Sequence, residues 1–385
     1  MTGFFTTPRI AWGVGAIQQL SGLSAHSALV VVDPAVAELG PTRRASEELA
    51  KSETTVEVVV APENPERVDR VEELADRLRR TSPDWVVVIG GGRTIDGVKA
   101  ARSRAERPDL RLEPSAAPPL DLDSPPRSRL VAVPTTAGSG SEASSTVDLL
   151  SVDGRPFELA HRAFAPEWTL LDPTFVTGLP RDLLLDGALE TAAQAIEAYL
   201  SAWANPFSDA LAIDALATVL DRLPHALRWS DDPEARSALF YASTAAGLAT
   251  SNAQRGVAHA LARALGPPTG LSYGRLLTVI LPSVLEFDRP SARDRWELLS
   301  VAAVRTENAP RLPLPTRLER LYETFRLPSS LATAGIDAAL LAPHRATIVG
   351  DALRSPTTLA NPRVPSEEEL SRLLERLTGG GPAAR

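Results

Sequence analysis

The chain of 385 residues contains no cysteine and a single methionine. Without thiols, disulfides, thiolate nucleophiles and zinc–thiolate centres are excluded, so any catalysis must use other groups. Lysine is scarce as well: of 40 basic side chains, only Lys51 and Lys99 are lysines. Neither cation is gathered into a basic stripe, and the bias reads as compositional. A formal net charge of −8, spread along the chain, argues against a general affinity for nucleic acid or anionic lipid. The expected partner is a small-molecule substrate. No run approaches the roughly 18–20 apolar residues of a membrane helix, and the opening MTGFFTTPRIAWG lacks a signal-peptide core. A cytoplasmic address is therefore expected.

The remaining composition is that of an ordinary globular protein, 44% hydrophobic and 23% charged, long enough for two domains. In the first half, short β-branched runs alternate with amphipathic stretches. Segments 27–33, 56–62, 84–90, 130–136 and 168–173 read as strands, and 66–80 as a crossover helix. The continuous apolar runs at 27–33 and 84–90 fit strands buried on both faces of a parallel sheet. The pattern predicts a doubly wound α/β domain over residues 1–180. Residues 105–129, rich in proline and charge, read as a surface excursion. Beyond Pro180 long Ala/Leu-rich segments (183–204, 209–227, 234–266) show helical periodicity, and residues 181–385 are expected to form an all-α bundle.

Three segments could carry chemistry. Gly90-Gly91-Gly92-Arg93-Thr94-Ile95-Asp96 stands between a buried strand and a helix, where glycines let backbone amides approach a phosphate and the helix dipole favours an anion. A tight structural turn is the competing reading. Pro134-Thr135-Thr136-Ala137-Gly138-Ser139-Gly140-Ser141-Glu142 also follows a strand, and its dense hydroxyls suit phosphate or ribose oxygens. Asp33 ends the strand 27–33, where a carboxylate commonly accepts from an adenosine ribose and favours NAD over NADP; turn initiation before Pro34 accounts for it equally well. Asp33, Gly90, Gly91, Gly92, Arg93, Asp96, Thr135, Thr136, Gly138, Ser139 and Ser141 are thus the candidate cofactor-binding residues.

Taken together with Pro8-Arg9-Ile10, Gly13-Val14-Gly15-Ala16, Lys99, Leu171-Asp172-Pro173, Leu179-Pro180, Ala195-Ile196-Glu197-Ala198-Tyr199 and Asn361-Pro362-Arg363, these segments resemble the iron-containing alcohol dehydrogenase family, within the dehydroquinate-synthase-like fold. The resemblance runs nearly end to end. It implies a Rossmann-like nucleotide-binding domain, a helical C-terminal domain, an active site in the cleft between them, and hydride transfer between a nicotinamide and an alcohol or aldehyde on a divalent metal. It also makes a homodimer the expected assembly.

At the family's metal-ligand positions this sequence departs from the pattern. The four ligands, normally an Asp and three His, correspond here to Glu190, Gln194, His259 and Tyr273, with Gly274 retained after the last. Glu190 and Gln194 share a helix face. A neutral amide and a phenol of high pKa are poor replacements for imidazoles at a borderline cation, so no metal is expected. One helical turn beyond His259, where the family usually carries another His near the nicotinamide, stands Arg263. Arg93 replaces the family's Ser after the glycines; it could pair with a pyrophosphate or 2′-phosphate, or obstruct the loop. Tyr273, His259, Arg263, Glu190 and Gln194 are therefore the candidate catalytic residues. His26, His161, His225 and His344 are read as ordinary polar residues, and Trp168, Trp203 and Trp229 as packing residues.

The resulting expectation is a metal-independent NAD- or NADP-dependent oxidoreductase on a small carbonyl compound or alcohol, with a specialised biosynthesis as one setting for it. A non-redox cyclase, isomerase or lyase using Tyr, His, Glu and Arg as acids and bases remains open, as does a catalytically silent binding protein.

Overall fold

A computed structural model describes residues 5–51, 54–113, 122, 126–228, 232–304 and 312–378. Residues 114–121 and 123–125 of the excursion at 105–129, and Trp229, lie outside the described residues. By its internal contacts the chain divides into two compact units, Met1–Pro180 and Arg181–Arg385.

The first unit is built on a six-stranded parallel sheet of β1 (Arg9–Trp12), β2 (Ser27–Val32), β3 (Thr55–Val60), β4 (Trp85–Gly90), β5 (Arg129–Pro134) and β8 (Trp168–Leu171), ordered β1-β8-β5-β4-β2-β3. A hairpin of β6 (Thr146–Leu150) and β7 (Pro156–Ala160), not anticipated from the sequence, forms a separate antiparallel ribbon. Helices α1 (Gly40–Ala50), α2 (Val68–Thr81) and α3 (Gly92–Glu106) supply crossovers. Every residue of β4 is buried, as its unbroken apolar run requires in a central parallel strand. Two layers of side chains cover the sheet, one around Leu29, Val86, Val88 and Ile95, the other around Val30, Val87, Val131 and Leu170.

Strand order reverses about β2. The chain leaves β2 for its outer neighbour β3, then returns across to β4 on the other side. In doubly wound sheets the crevice at the carboxyl ends of such strands is where ligands bind.

The second unit is helical: α4 (Arg181–Leu200), α5 (Pro206–Arg228), α6 (Pro233–Ala253), α7 (Val257–Thr269), α8 (Tyr273–Ala302), α9 (Leu314–Phe325), α10 (Ala338–Leu341), α11 (Arg345–Arg354), α12 (Pro356–Ala360) and α13 (Glu367–Leu377). The segment 234–266, read from periodicity as continuous helical texture, is broken in two. Gln254 adopts a left-handed φ of 68°, and Gly256 begins the next helix. Periodicity misses this break because Ala, Leu and Arg continue on both sides of it. Trp203, expected to pack, is 53% exposed, since it stands in the short turn joining α4 to α5. Among the described residues no helix is long and apolar enough to cross a membrane.

Candidate functional site

In the first unit the strand register sets three loops side by side. Asp33 N donates to Ile89 O at 2.8 Å, Gly90 pairs with Pro134, and Thr135 N donates to Gly90 O at 3.1 Å. The segments after β2, β4 and β5 therefore leave the sheet together. Neighbours on these loops crowd each glycine of the triplet, Gly91 least. A Cβ on Gly90 would come within 2.9 Å of Thr94 and 3.0 Å of Asp33, and one on Gly91 within 3.3 Å of Thr136. On Gly92 it would stand 2.5 Å from Ser139 Oγ and 3.2 Å from Ser141 Oγ. The amides of the first turn of α3 thus lie beside the hydroxyls of the following loop. The N-cap of that helix, Gly91, has no side chain to cap it, and the positive dipole end of the helix suits an anionic group.

Asp33 is half-buried. One carboxylate oxygen accepts from Ala35 N at 3.0 Å and the other from Thr94 Oγ1 at 2.7 Å. It thus caps its own turn and ties β2 to α3. Arg93 extends outward, 74% exposed, with a guanidinium nitrogen 3.5 Å from the buried Glu66 carboxylate.

Asp96 is engaged by the protein itself. It is 5% exposed, lies 3.3 Å from Lys99 Nζ one turn along α3, and accepts from Asp148 N at 3.1 Å. Lys99, with no exposed surface, also donates to the carbonyls of Ser141 and Thr146, both at 2.8 Å, and to Ser144 Oγ at 3.1 Å. This buried ammonium staples the 141–146 segment to α3. Burial raises Asp96 to about 6 despite the opposing charge of Lys99, and burial likewise lowers Lys99 against the pull of Asp96. Asp96 is accordingly a fastening for the loop, not a free contact for a ligand. Thr135, 4% exposed, and Ser141, 6% exposed, also sit mostly within the protein.

In the second unit, Gln194 Nε2 on α4 donates to Glu190 Oε1 at 3.4 Å, the two side chains meeting across the i, i+4 spacing. His259 and Tyr273 form a second pair, their ring centroids 5.7 Å apart, with the Tyr273 hydroxyl donating to His259 O at 3.1 Å. Gly274 makes the placement of Tyr273 possible: a Cβ there would fall 2.1 Å from the carbonyl oxygen of Asp186 on α4. Ser272 caps α8 and donates to Asp186 Oδ2 at 2.6 Å. Arg263, 8% exposed, donates to Ser355 Oγ at 3.0 Å, toward the loop before α12.

The residue that sequence reasoning left out of the site is Glu197. Its Oε2 is hydrogen-bonded to His259 Nδ1, and its Oε1 accepts from Ala258 N at 2.7 Å. Glu197 is 4% exposed and His259 has no exposed surface. The spacing was available in the sequence, since Glu190, Gln194 and Glu197 follow one another at i, i+4 and i+7 on one helix face. Asn361 completes the arrangement: its side-chain oxygen accepts from Val257 N at 3.0 Å and its amide donates to Asp288 Oδ1 at 2.6 Å. Gly256 admits both groups, because a Cβ would lie 2.6 Å from Asn361 Oδ1 and 2.7 Å from Glu197 Oε1.

These environments separate the two carboxyls. Burial alone would raise Glu197, but the His259 imidazole and the amides of Gly256 and Ala258 hold it below the usual range. For Asp288 burial wins: it raises the carboxyl to about 8, with the Asn361 bond opposing and the charge of Glu197 adding to the rise. For His259 burial lowers the pKa, Glu197 opposing, so the ring is neutral near pH 7. Its Nε2 is buried without a hydrogen-bond partner among the described residues.

The donor set at the family's metal positions does not fit a borderline divalent ion. Tyr273 donates its hydroxyl hydrogen to a backbone carbonyl, and Gln194 Nε2 donates to Glu190; His259 keeps the posture of a ligating imidazole, one nitrogen on a carboxylate. Among the described residues no three His, Asp or Glu side chains are grouped so as to hold a metal ion.

A doubly wound sheet with three ligand-type loops at its switch point, followed by an all-helical unit with a buried carboxylate–imidazole pair, defines a dinucleotide-fold enzyme class. The comparisons place the chain within that class. Residues 7–173 match the model for iron-containing alcohol dehydrogenase, and residues 185–378 the model for the C-terminal part of the Fe-containing alcohol dehydrogenase family. The chain is 30% identical over 372 residues to the probable alcohol dehydrogenase EutG of Salmonella typhimurium, covering 95% of this chain and 92% of that one. It is 29% identical to the NAD-dependent methanol dehydrogenase of Bacillus methanolicus, over 97% and 99% of the two chains. An iron-containing alcohol dehydrogenase from Thermococcus thioreducens superposes with a TM-score of 0.87 at 27% identity, covering 98% of this chain and all of that one. The protein belongs to the iron-containing alcohol dehydrogenase family.

Proposed function

We propose that this protein is a nicotinamide-dependent oxidoreductase that interconverts a small alcohol and its carbonyl compound without a catalytic metal ion. The observation that carries the reading is the convergence of Asp33, Gly90–Gly92 and the Ser139–Ser141 segment at the carboxyl ends of three adjacent strands. Such a cradle suits a dinucleotide, its pyrophosphate on the first turn of α3 and a ribose at Asp33. Two relatives, named as an alcohol and a methanol dehydrogenase, support the reaction class.

A bound nicotinamide would supply the hydride acceptor for alcohol oxidation; the hydroxyl proton must go to a base of the protein. A divalent ion polarises such an oxygen as a Lewis acid; here the job falls to organic side chains. The neutral His259, backed by Glu197, is the base, and Tyr273 stands beside it with its hydroxyl donating to His259 O. In carbonyl reduction the same proton returns to the developing alkoxide. Arg263 contributes positive charge near His259. The expected cofactor is NAD or NADP: Asp33 disfavours a 2′-phosphate by charge, whereas Arg93 favours one.

Calorimetric titration with NADH and NADPH tests the first half of the proposal, and absence of binding to both removes it. Elemental analysis of the purified protein tests the second half. Stoichiometric iron or zinc, lost to a chelator together with alcohol oxidation, would overturn the metal-independent reading.

A further inference from the structure

His259 carries two ring nitrogens in different surroundings. Nδ1 faces the Glu197 carboxylate, while Nε2 is buried with no partner among the described residues. A carboxylate has only acceptor oxygens, so the bond between them needs its hydrogen on Nδ1. Glu197 is itself held in place, because its other oxygen accepts from Ala258 N at 2.7 Å and packs closely against Gly256. Asn361 holds the adjacent amide of Val257 at 3.0 Å. An unpartnered polar atom inside a protein costs stability, a penalty that a functional nitrogen tolerates more readily than a structural one.

We propose that Glu197 is the positioning residue of this site: by accepting the Nδ1 hydrogen of His259 it fixes one tautomer and leaves Nε2 as an unprotonated acceptor in a set orientation. The assignment rests on the functional reading above for its chemical purpose, though not for its geometry. When an alcohol is oxidised, its hydroxyl proton moves to Nε2 as the hydride departs, and the imidazolium so formed is neutralised by Glu197 across the Nδ1–H bond. In reduction the same proton leaves Nε2. Asn361 and Gly256 act one step further out, holding the start of α7 against Glu197. Asp288, on the far side of Asn361, keeps its proton and adds no second negative charge beneath the pair.

The Glu197→Gln variant tests this assignment. The introduced amide retains an oxygen for Ala258 N but turns a donor toward Nδ1, which then must be the acceptor, so the ring hydrogen moves to Nε2. The chain has five histidines, and single replacements assign their long-range 15N–1H correlations. At neutral pH, wild-type His259 should show its hydrogen on Nδ1, and Glu197→Gln should show it on Nε2. If nicotinamide reduction by alcohols is measurable, kcat should fall about 10²- to 10⁴-fold with the KM for the dinucleotide unchanged. A wild-type Nε2–H tautomer overturns the proposal, as does a folded Glu197→Gln protein that retains Nδ1–H. If the variant fails to fold, the wild-type spectrum alone decides. A tautomer switch in a protein that turns over no alcohol with either nicotinamide upholds the positioning role and removes the oxidoreductase reading.

Discussion

Replacing Asp288 by Asn should make the protein relatively more stable as pH rises. Asp288 is 3% exposed on α8, and its Oδ1 accepts from Asn361 Nδ2 at 2.6 Å. Burial lifts its carboxyl from the ordinary 3.8 to about 8. The folded chain thus holds a proton at this position that the unfolded chain releases near 3.8. Between these values the native state binds more protons than the unfolded one, so the contribution to stability is greatest below 3.8 and declines as pH rises towards 8. The slope is about 1.4 kcal/mol per pH unit for a group protonated in one state only. From about pH 5 to pH 7 the wild type should therefore lose about 3 kcal/mol relative to the Asp288→Asn protein, in which a neutral amide oxygen still accepts the Asn361 bond. Urea unfolding of both proteins at the two pH values reads this directly, because every other titrating group cancels in the difference. A difference that stays constant, or that moves in favour of the wild type as pH rises, would refute the assignment of a protonated buried Asp288.

The remaining predictions concern fastening and close approach. Lys99→Met should destabilise the first unit by about 3–5 kcal/mol, since Asp96 would be left buried without its cation, and adding Asp96→Asn should recover part of the loss; thermal melts of the single and double variants check the non-additivity. Gly92→Ala places a methyl 2.5 Å from Ser139 Oγ, so dinucleotide affinity measured by calorimetry should fall while the fold persists. Gly274→Ala meets backbone, the Asp186 carbonyl at 2.1 Å, and should cost about 3 kcal/mol or more in urea unfolding. Tyr273→Phe removes one partly buried hydrogen bond, and its stability should fall by only about 1 kcal/mol. A large loss of alcohol turnover in the same variant would assign the hydroxyl to the reaction.

The sequence by itself determined the layout of the molecule. Unbroken apolar runs at Trp85–Gly90 and Ser27–Val32 specify strands buried on both faces, and the glycines and hydroxyls that follow strands mark the ligand-type loops. These are local signals, carried by residue type and spacing over a few positions. The same kind of signal brought Glu190 to Gln194. What only the tertiary structure decided are contacts between residues far apart in sequence: Glu197 with His259, Asn361 with the amide of Val257, Lys99 with the carbonyl of Thr146. Asp96 stands in a segment whose sequence reads as ligand-binding, yet its protonation and partners depend on burial against Asp148, which no local pattern encodes. The break at Gln254 and Gly256 likewise follows from the side chains that meet the start of the next helix, since composition continues unchanged across it. Burial sets the charge of an ionisable group, and burial is a property of the assembled chain.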